Sequence, residues 1–120
     1  MKLRPLERKA IFEIKAYIEE HYSEMITLES LSAMLWQNDQ VNFRPRRLHE
    51  AFSATFLQTV RAFHTHLRMQ KAKDLLETTD LSVKAIGNTL GFKGVNNFSA
   101  AFKKHYHLTP SEYRDKSIFQ

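Results

Sequence analysis

The chain has 120 residues, of which 42% are hydrophobic and 26% are charged, and its formal net charge is +5. That length suits one ordinary domain or two very small subdomains, and the absence of cysteine excludes disulfides, thiolate nucleophiles and cysteine-ligated zinc. No apolar run approaches the ~18 residues of a membrane span, and the N-terminus has no secretion signal, so we expect no membrane partner.

The positive charge is concentrated in the second half of the chain. Residues 1–57 carry eight Lys or Arg and eight Asp or Glu, whereas residues 58–120 carry ten and five. Such an excess favours a polyanionic partner, although a few extra lysines would also serve solubility alone. Charge by itself leaves both interpretations open.

Three helices are predicted in the first half. Isoleucines repeat at i, i+3 and i+7 within a segment from about Pro5 to Tyr22, which is the spacing of one helix face. Thr27 is a candidate N-cap for a second helix, LESLSAML, and Pro45 suits the first turn of a third helix, PRRLHEAFSATF. Between them lies WQNDQVNF, which is polar and aperiodic, and we predict a loop there.

A long fourth helix is predicted from about Gln58 to Thr78. Its apolar residues form two stripes, which indicates contact with a different partner at each end. Twenty residues of helix span about 30 Å, close to the ~34 Å between successive major-groove faces of DNA. We therefore interpret this helix as a strut between two units.

The C-terminal part predicts three short helices, so the fold is expected to be all-α with about seven helices. Ser82 is a candidate cap for VKAIGNTL, and Gly91 suits the left-handed residue that ends this helix. A sixth helix, VNNFSAAFKKHY, follows, and Thr109 to Glu112 form a capping box with proline at the first position of a seventh. The tail, KSIFQ, is expected to fray.

The segment from Gly91 to Arg114 has the form of a helix-turn-helix motif. A glycine ends one helix, and a polar, asparagine-bearing helix with trailing lysines begins within a few residues. Proteins of this kind present such a short helix to the major groove of DNA. The segment from Leu28 to Phe56 looks like an imperfect second copy, so we expect two helix-turn-helix units joined by a long central helix.

A spaced set of residues in the second half carries a family resemblance, and its members are Arg68, Ala72, Leu75, Leu76, Ile86, Gly91, Phe92, Phe98, Phe102, Lys103, Thr109, Pro110, Tyr113 and Arg114. This pattern resembles the DNA-binding domain of the AraC/XylS family of bacterial transcription regulators. The first half resembles the family more weakly, through TLESLSAML and PRRLHEAF. We therefore expect a first subdomain over residues 1–57, a linking helix over 58–78 and a second subdomain over 79–120.

The chain departs from the family pattern in both units. In the first, Ser32 stands at the position of a small alanine, Arg44 replaces the usual serine cap, and the turn carries about six extra residues within WQNDQVNF. In the second, Gly87 replaces the packing alanine at a cost of about 1 kcal/mol in helix propensity. Ala100 replaces an arginine that often lies on the DNA-facing side of helix six. The extra residues put the docking of the first unit in question, and the second loses one base or phosphate contact.

The resemblance places base-contacting residues at the start of the third and sixth helices. Arginine can bond guanine O6 and N7, glutamate can accept from cytosine N4, asparagine can bond adenine N6 and N7, and valine can pack on a thymine methyl. Lysine, a flexible point charge, suits phosphate. The alternatives are a solvated polar face and, for Asn97, a capping role. The predicted base contacts are Arg46, His49, Glu50, Val95, Asn96 and Asn97, and the predicted phosphate contacts are Arg44, Arg47, Lys84, Lys93, Lys103 and Lys104.

Other chemistry finds little support in the sequence. His64-Thr65-His66 and His105-Tyr106-His107 invite a metal interpretation, but residues two apart on a helix point in different directions and no carboxylate or cysteine completes a set. No Ser-His-Asp order, glycine-rich phosphate loop or paired acid cluster indicates an enzyme. We predict no catalytic, cofactor, metal or small-molecule site, and a structural ion-pair or helix-cap role for Arg68.

The predicted function is that of a sequence-specific transcription regulator in the bacterial cytoplasm, associated with the nucleoid. Double-stranded DNA is the expected partner, bound by two recognition helices in successive major grooves, and RNA polymerase is the expected second partner. The alternative is a helical protein-interaction module that contacts polymerase or another partner without specific DNA binding, which the extra residues and Ala100 leave open. Salt-dependent binding that discriminates between duplex sequences separates the two.

Overall fold

A computed structural model of the protein describes the backbone of residues 1–118 and the side chains of residues 1–116. Within that part the chain forms seven α-helices and no strand, so the all-α prediction is confirmed. The helices are α1 (Pro5–Glu20), α2 (Leu28–Asp39), α3 (Pro45–Phe56), α4 (Val60–Thr78), α5 (Val83–Thr89), α6 (Val95–Tyr106) and α7 (Pro110–Ile118).

Backbone contacts divide the chain into two compact units, Met1–Thr65 and a second that begins at His66, so the division falls inside α4. This helix begins at Val60 rather than at Gln58, because the Thr59 hydroxyl accepts a 3.0 Å hydrogen bond from the backbone N–H of Ala62 and caps it. None of the described helices is long and apolar enough to cross a membrane.

The core of the first unit is formed by one face of each of its first three helices. Ile11, Ile14 and Ile18 of α1 are fully buried at the predicted helical spacing. Both α1 and α2 pack against α3, so the buried side of α3 is held by two neighbours. The other large, fully buried side chains of this core are Leu31, Leu35, Phe43, Leu48 and Phe52.

The segment WQNDQVNF is not a loop throughout, and the prediction was wrong for residues 36–39, which continue α2 as far as Asp39. All four of these residues are exposed, so their polar side chains can remain in water on a helix without any apolar periodicity. Gln40 ends the helix in the left-handed region, with φ of 54°, and its N–H donates to the Trp36 carbonyl at 3.0 Å. About one additional helical turn therefore takes up most of the extra residues.

The remaining part of that segment is anchored by Phe43, which is 1% exposed. The Ser32 hydroxyl donates a 2.6 Å hydrogen bond to the Phe43 carbonyl across the turn. Ser32 stands where the family pattern has alanine, and an alanine could not make this bond. The serine and the buried phenylalanine together fix the path of the chain from α2 into α3.

The predicted caps at the starts of α2, α5 and α7 are confirmed. Thr27, Ser82 and Thr109 each accept a hydrogen bond from the backbone N–H three residues later, at 3.0–3.1 Å. Glu112 completes the capping box of α7 by accepting from the N–H of Thr109 at 3.0 Å. The predicted prolines, Pro45 and Pro110, are the first residues of α3 and α7.

The core of the second unit brings α5 and α7 against α6. A β-carbon added to Gly87 would lie 3.0 Å from Cβ of Phe98, a residue that is itself fully buried. Gly87 thus permits a close approach of α5 to α6, which is the advantage set against its cost in helix propensity. The other buried hydrophobic residues here are Met69, Ala72, Leu76, Ile86, Leu90 and Phe102.

The turn between α5 and α6 has the predicted left-handed glycine. Gly91 has φ of 87°, and the N–H of Phe92 donates to the Gly87 carbonyl at 2.9 Å, which closes the end of α5. The Phe92 ring then contacts Phe98, with ring centroids 5.4 Å apart, as expected for the hydrophobic residue that follows such a cap.

The C-terminal tail is more regular than predicted in its first part. Residues 116–118 belong to α7, which continues to Ile118. Phe119 and Gln120, the rest of the segment expected to fray, lie outside the described residues.

Candidate nucleic-acid interface

The first turn of α6 presents its predicted base contacts to solvent. Val95, Asn96 and Asn97 are all exposed, whereas Phe98 and Phe102 of the same helix are fully buried. Asn96 makes no side-chain hydrogen bond to the rest of the described chain, so its amide donors and oxygen are available to a ligand. The buried phenylalanines fix the orientation of α6, and its first turn then exposes the apolar side chain of Val95 and the amide of Asn96.

Asn97 differs from Asn96 because it already has an internal partner. Its side-chain Nδ2 donates a 2.5 Å hydrogen bond to the carbonyl of Lys93, four residues earlier. This bond ties the α6 start to the preceding turn, which is the structural role that the sequence left open. One N–H and the amide oxygen of Asn97 remain for other contacts.

Gly94 is a structural residue of this interface that the sequence analysis did not single out. It precedes α6 with φ of 86°, and no heavy atom lies within 4 Å of the β-carbon that another residue would place there. The requirement for glycine is therefore one of backbone conformation and not of space. Its position three residues after Gly91 was the available signal, because two glycines in one short connection indicate two positive φ angles.

In the first unit, two of the three predicted base contacts of α3 pair with each other. Arg46 Nε lies 3.3 Å from Glu50 Oε1, one helical turn later, and the Arg46 side chain is 93% exposed. An ion pair with this much solvent contributes little to stability, so either group can be redirected at small cost. His49 lies between them in sequence and is half-buried.

Arg47 has a stronger internal partner than any other predicted phosphate contact. Its Nε and Nη2 donate to the two carboxylate oxygens of Glu7 at 2.7 and 3.0 Å, and Glu7 also accepts from the Arg4 N–H at 2.9 Å. These hydrogen bonds lower the pKa of Glu7 to about 2, and the bond with Arg47 has the larger effect. The bidentate pair joins α3 to the start of α1, so the Arg47 guanidinium is held within the first unit.

The remaining predicted phosphate contacts are exposed cations. Lys103 and Lys104 lie in the last turn of α6, where positive charge also complements the helix dipole. Hydrogen bonds with Thr109 lower the pKa of Glu112, and the nearby charge of Lys103 adds a smaller effect in the same direction. The other exposed members of the set are Arg44, Lys84 and Lys93.

Arg68 has a structural position, but its partner is an aromatic ring and not the predicted carboxylate or helix end. Its guanidinium carbon lies 4.2 Å from the centroid of the Phe92 ring, and burial lowers its pKa. The buried Nε has no hydrogen-bond partner within the described part of the chain. Arg68 thus covers the residue that closes the turn before α6.

The part of the chain with described side chains contains no group of three or more His, Asp or Glu placed to hold a metal ion. A cleft of about 280 Å³ lies within the first unit, between α1 and α2. Glu13 and Asp39 both line it, and burial, together with a hydrogen bond to Asp39, raises the pKa of Glu13. The last turn of α2 supplies Asp39 to this cleft.

The chain is all-α, and short turns lead into helices that have one buried face and one exposed polar face. This is the arrangement of a helix-turn-helix protein. A family profile described as "Helix-turn-helix domain" matches residues 39–116. With this match, and with the AraC-type pattern of its second half, the chain belongs to the AraC-type helix-turn-helix domain family.

Similar proteins agree with this assignment. Over 107 residues the chain is 34% identical to "Uncharacterized HTH-type transcriptional regulator YijO" of Escherichia coli K12, a match that covers 88% of this chain and 36% of that protein. The chain thus spans about a third of the length of this curated relative.

Two solved structures share the fold. The C-terminal domain of AraT, a response regulator from Geobacillus stearothermophilus, is 31% identical with a TM-score of 0.79, covering 97% of this chain and 88% of that one. The DNA-binding domain of the global transcriptional factor AdpA, solved with a target DNA, is 24% identical with a TM-score of 0.78 and coverages of 88% and 90%. At this identity the second comparison shows the fold alone.

Proposed function

We propose that this chain is the DNA-binding domain of a bacterial transcription regulator and that it recognises a specific duplex sequence through α3 and α6. The observation that carries the proposal is the first turn of α6, where Val95 and Asn96 are exposed on a helix anchored by the fully buried Phe98 and Phe102. A helix end held in this way can enter the major groove and contact base edges. The AdpA domain, whose fold is shared, was solved with its target DNA, which supports the proposal.

In α6, we assign base contact chiefly to Val95 and Asn96. Asn96 has its full set of donors and acceptors free for adenine N6 and N7, and Val95 offers an apolar surface to a thymine methyl. Asn97 contributes less specificity, because one of its two N–H groups is occupied by the Lys93 carbonyl. Its principal contribution is to hold the turn that precedes the helix.

In α3, Arg46 is the proposed guanine contact and Glu50 the residue that orients it. Their exposed 3.3 Å pair extends the guanidinium along the outer face of the helix, and this weak pair can open when base edges offer better partners. His49 lies beside them as a third base contact. Each of the two units then presents one recognition helix to its own major-groove segment.

Phosphate contacts come from the exposed cations, and among the predicted members Arg47 differs because its guanidinium already has a bidentate partner. Arg47 is engaged by both oxygens of Glu7, so we assign it to the stability of the first unit. Phosphate contacts fix register and orientation without carrying sequence information. The assigned residues are Arg44, Lys84, Lys93, Lys103 and Lys104.

The proposed domain organisation is a first subdomain over residues 1–57, a linking helix over 58–78 and a second subdomain over 79–120. RNA polymerase is the second proposed partner, because a regulator bound at a promoter acts on the enzyme that transcribes from it. The corresponding location is the bacterial cytoplasm, at the nucleoid. The proposed role is one of binding and not of catalysis.

Selection of bound duplexes from a random DNA pool tests the proposal most directly. We expect enrichment of an asymmetric site of about 20 base pairs, because PRRLHEAF and VNNFSAAF differ throughout and each helix reads its own segment. Missing-contact footprinting on the selected duplex should then show two contacted major-groove segments. One segment alone would restrict specific contact to α6.

The selection also decides between DNA recognition and the alternative of a protein-interaction module. Affinity for the selected duplex should exceed that for a scrambled duplex by at least about 10³-fold at fixed salt. Equal, salt-sensitive affinity for both duplexes would reduce the function to non-specific association and overturn the proposal. A strict palindrome bound only by dimers would overturn the two-helix arrangement.

A further inference from the structure

The two His-X-His segments of the sequence become informative once the fold brings one member of each together. His66 on α4 and His105 on α6, both in the second unit, lie with Nδ1 and Nε2 3.4 Å apart and ring centroids 5.5 Å apart. Both residues are exposed. The contact therefore joins two helices at the surface, 39 residues apart in the sequence.

The other histidines of these segments are directed elsewhere. The ring Nε2 of His64 lies 2.6 Å from the Tyr22 carbonyl within the first unit, and His107 is the exposed residue that ends α6. This agrees with the argument that residues two apart on one helix cannot chelate together. A site within one helix is thereby excluded, whereas a site between two helices needs only one histidine from each.

The separation of the two nitrogens matches that of two ligands of one metal ion. Imidazole nitrogens bound to zinc at 2.0–2.1 Å in tetrahedral geometry lie about 3.3 Å from each other. We propose that His66 and His105 form a two-histidine surface site for a divalent transition ion of the zinc, nickel and copper class. Imidazole suits these ions, whereas magnesium and calcium prefer oxygen ligands.

The site is open, because no third His, Asp or Glu within the described side chains completes it. Water or an external ligand fills the remaining coordination positions. In the metal-free protein one ring donates its N–H to the other; on binding, that ring changes tautomer, its proton moves to the outer nitrogen, and both inner nitrogens carry lone pairs. The bound ion would then clamp the last turns of the recognition helix α6 to α4.

Calorimetric titration of the intact chain with zinc chloride, in the absence of DNA, tests this site. We expect one zinc ion per chain and no binding of magnesium. His66→Gln or His105→Gln should each weaken zinc binding by on the order of 100-fold, because the second ligand no longer acts within the same molecule. His107→Asn is the matched control: it removes a neighbouring exposed histidine, asparagine tolerates its left-handed conformation, and zinc affinity should not change.

Two further measurements test the same pair. Copper(II), which is paramagnetic, should broaden the ring resonances of His66 and His105 together at substoichiometric amounts, before those of the remaining histidines. Saturating zinc should also raise the melting temperature of the wild-type chain and leave that of the His66→Gln variant unchanged. Zinc affinity that survives in both glutamine variants, or copper broadening that begins at other histidines, would overturn the proposal. Neither outcome bears on DNA recognition, because no DNA is present.

Discussion

In both helix-turn-helix units the helix before the turn is followed by a residue with positive φ, but the two residues differ. In the second unit Gly91 takes a φ of 87°, where glycine has no steric cost, while in the first unit Gln40 takes a φ of 54°. The first unit offsets this strain by tertiary contacts, since Phe43 is buried and Ser32 bonds its carbonyl at 2.6 Å. One turn is therefore specified by its own residue, and the other by the core beneath it.

We expect the largest loss of stability when Gly91 is replaced. Gly91→Val should destabilise the second unit by about 2–3 kcal/mol, because a β-branched side chain resists positive φ and the Phe92 N–H bond to Gly87 depends on that conformation. Thermal melts of the variant and the wild type measure it. A melting midpoint equal to that of the wild type would show that the turn does not depend on its glycine.

The recognition helices of the two units offer the second test. Asn96→Ala should weaken binding to the selected duplex by about 1–3 kcal/mol and leave binding to a scrambled duplex nearly intact.

His49→Ala, at the half-buried position of α3, should reduce affinity for the selected duplex by less than Asn96→Ala. Lys104→Ala should reduce affinity for both duplexes equally and lower the slope of log affinity against log salt by about one unit. Competition gel shifts decide; an equal loss on both duplexes for Asn96→Ala removes it from the base contacts.

The ion pair between Glu7 and Arg47 belongs to the first unit and can be tested by removing the charge of Glu7. Glu7→Gln keeps an acceptor for the Arg4 N–H but breaks the ion pair with Arg47, which we expect to cost about 1–2 kcal/mol at pH 7 after allowing for the exposure of Arg47. Urea unfolding of both proteins gives the difference in free energy.

The pH dependence of that difference follows from the lowered pKa of Glu7. Since its pKa is about 2 in the folded chain and 4.5 as the ordinary value, its stabilising contribution is complete above about pH 4.5 and declines as the pH falls to about 2. The wild-type advantage over Glu7→Gln should therefore disappear between pH 4.5 and 2. An advantage that is constant over this range would assign it to packing and not to charge.

Replacing Gln40 by glycine tests whether backbone strain limits the end of α2. Gln40→Gly should stabilise the first unit by about 0.5–1 kcal/mol, because glycine adopts the left-handed conformation without strain. Gln37→Gly, the same exchange at an exposed position inside α2, is the matched control and should destabilise by a similar amount. A stabilised control or a destabilised Gln40→Gly would show that the end of α2 is not limited by backbone strain.

Local signals explain which elements could be predicted. Thr27, Ser82 and the Thr109–Glu112 box are caps whose partners lie three residues away, so they need no tertiary information. The end of α2 was missed because Trp36 to Asp39 are all exposed, and a solvated helical turn leaves no apolar period in the sequence. Helix caps are thus easier to predict than the extent of a polar helix.

The candidate site divides along the same line. Exposure of Val95 and Asn96 followed from the spacing of Phe98 and Phe102, whose burial fixes the opposite face of α6. The partners of Arg47 and Arg68 could not be predicted from composition, because each depends on which group the fold brings near, at 2.7 Å for Arg47 and 4.2 Å for Arg68. The partner of Asn97 lies only four residues earlier, so the capping role was open to prediction from the sequence. The base and phosphate assignments remain predictions for both units.

Short-range patterns and residue spacing were enough to predict the number of helices, most of their starts, the glycine that ends α5 and the family. Three contacts could be seen only in the folded chain: Glu7 with Arg47, Ser32 with the Phe43 carbonyl, and His66 with His105. Those contacts join residues between 11 and 40 positions apart. A hydrogen bond or a metal–ligand bond forms only when its two atoms lie within a few tenths of an ångström of the preferred distance. That precision is set by how complete helices pack and not by any local preference.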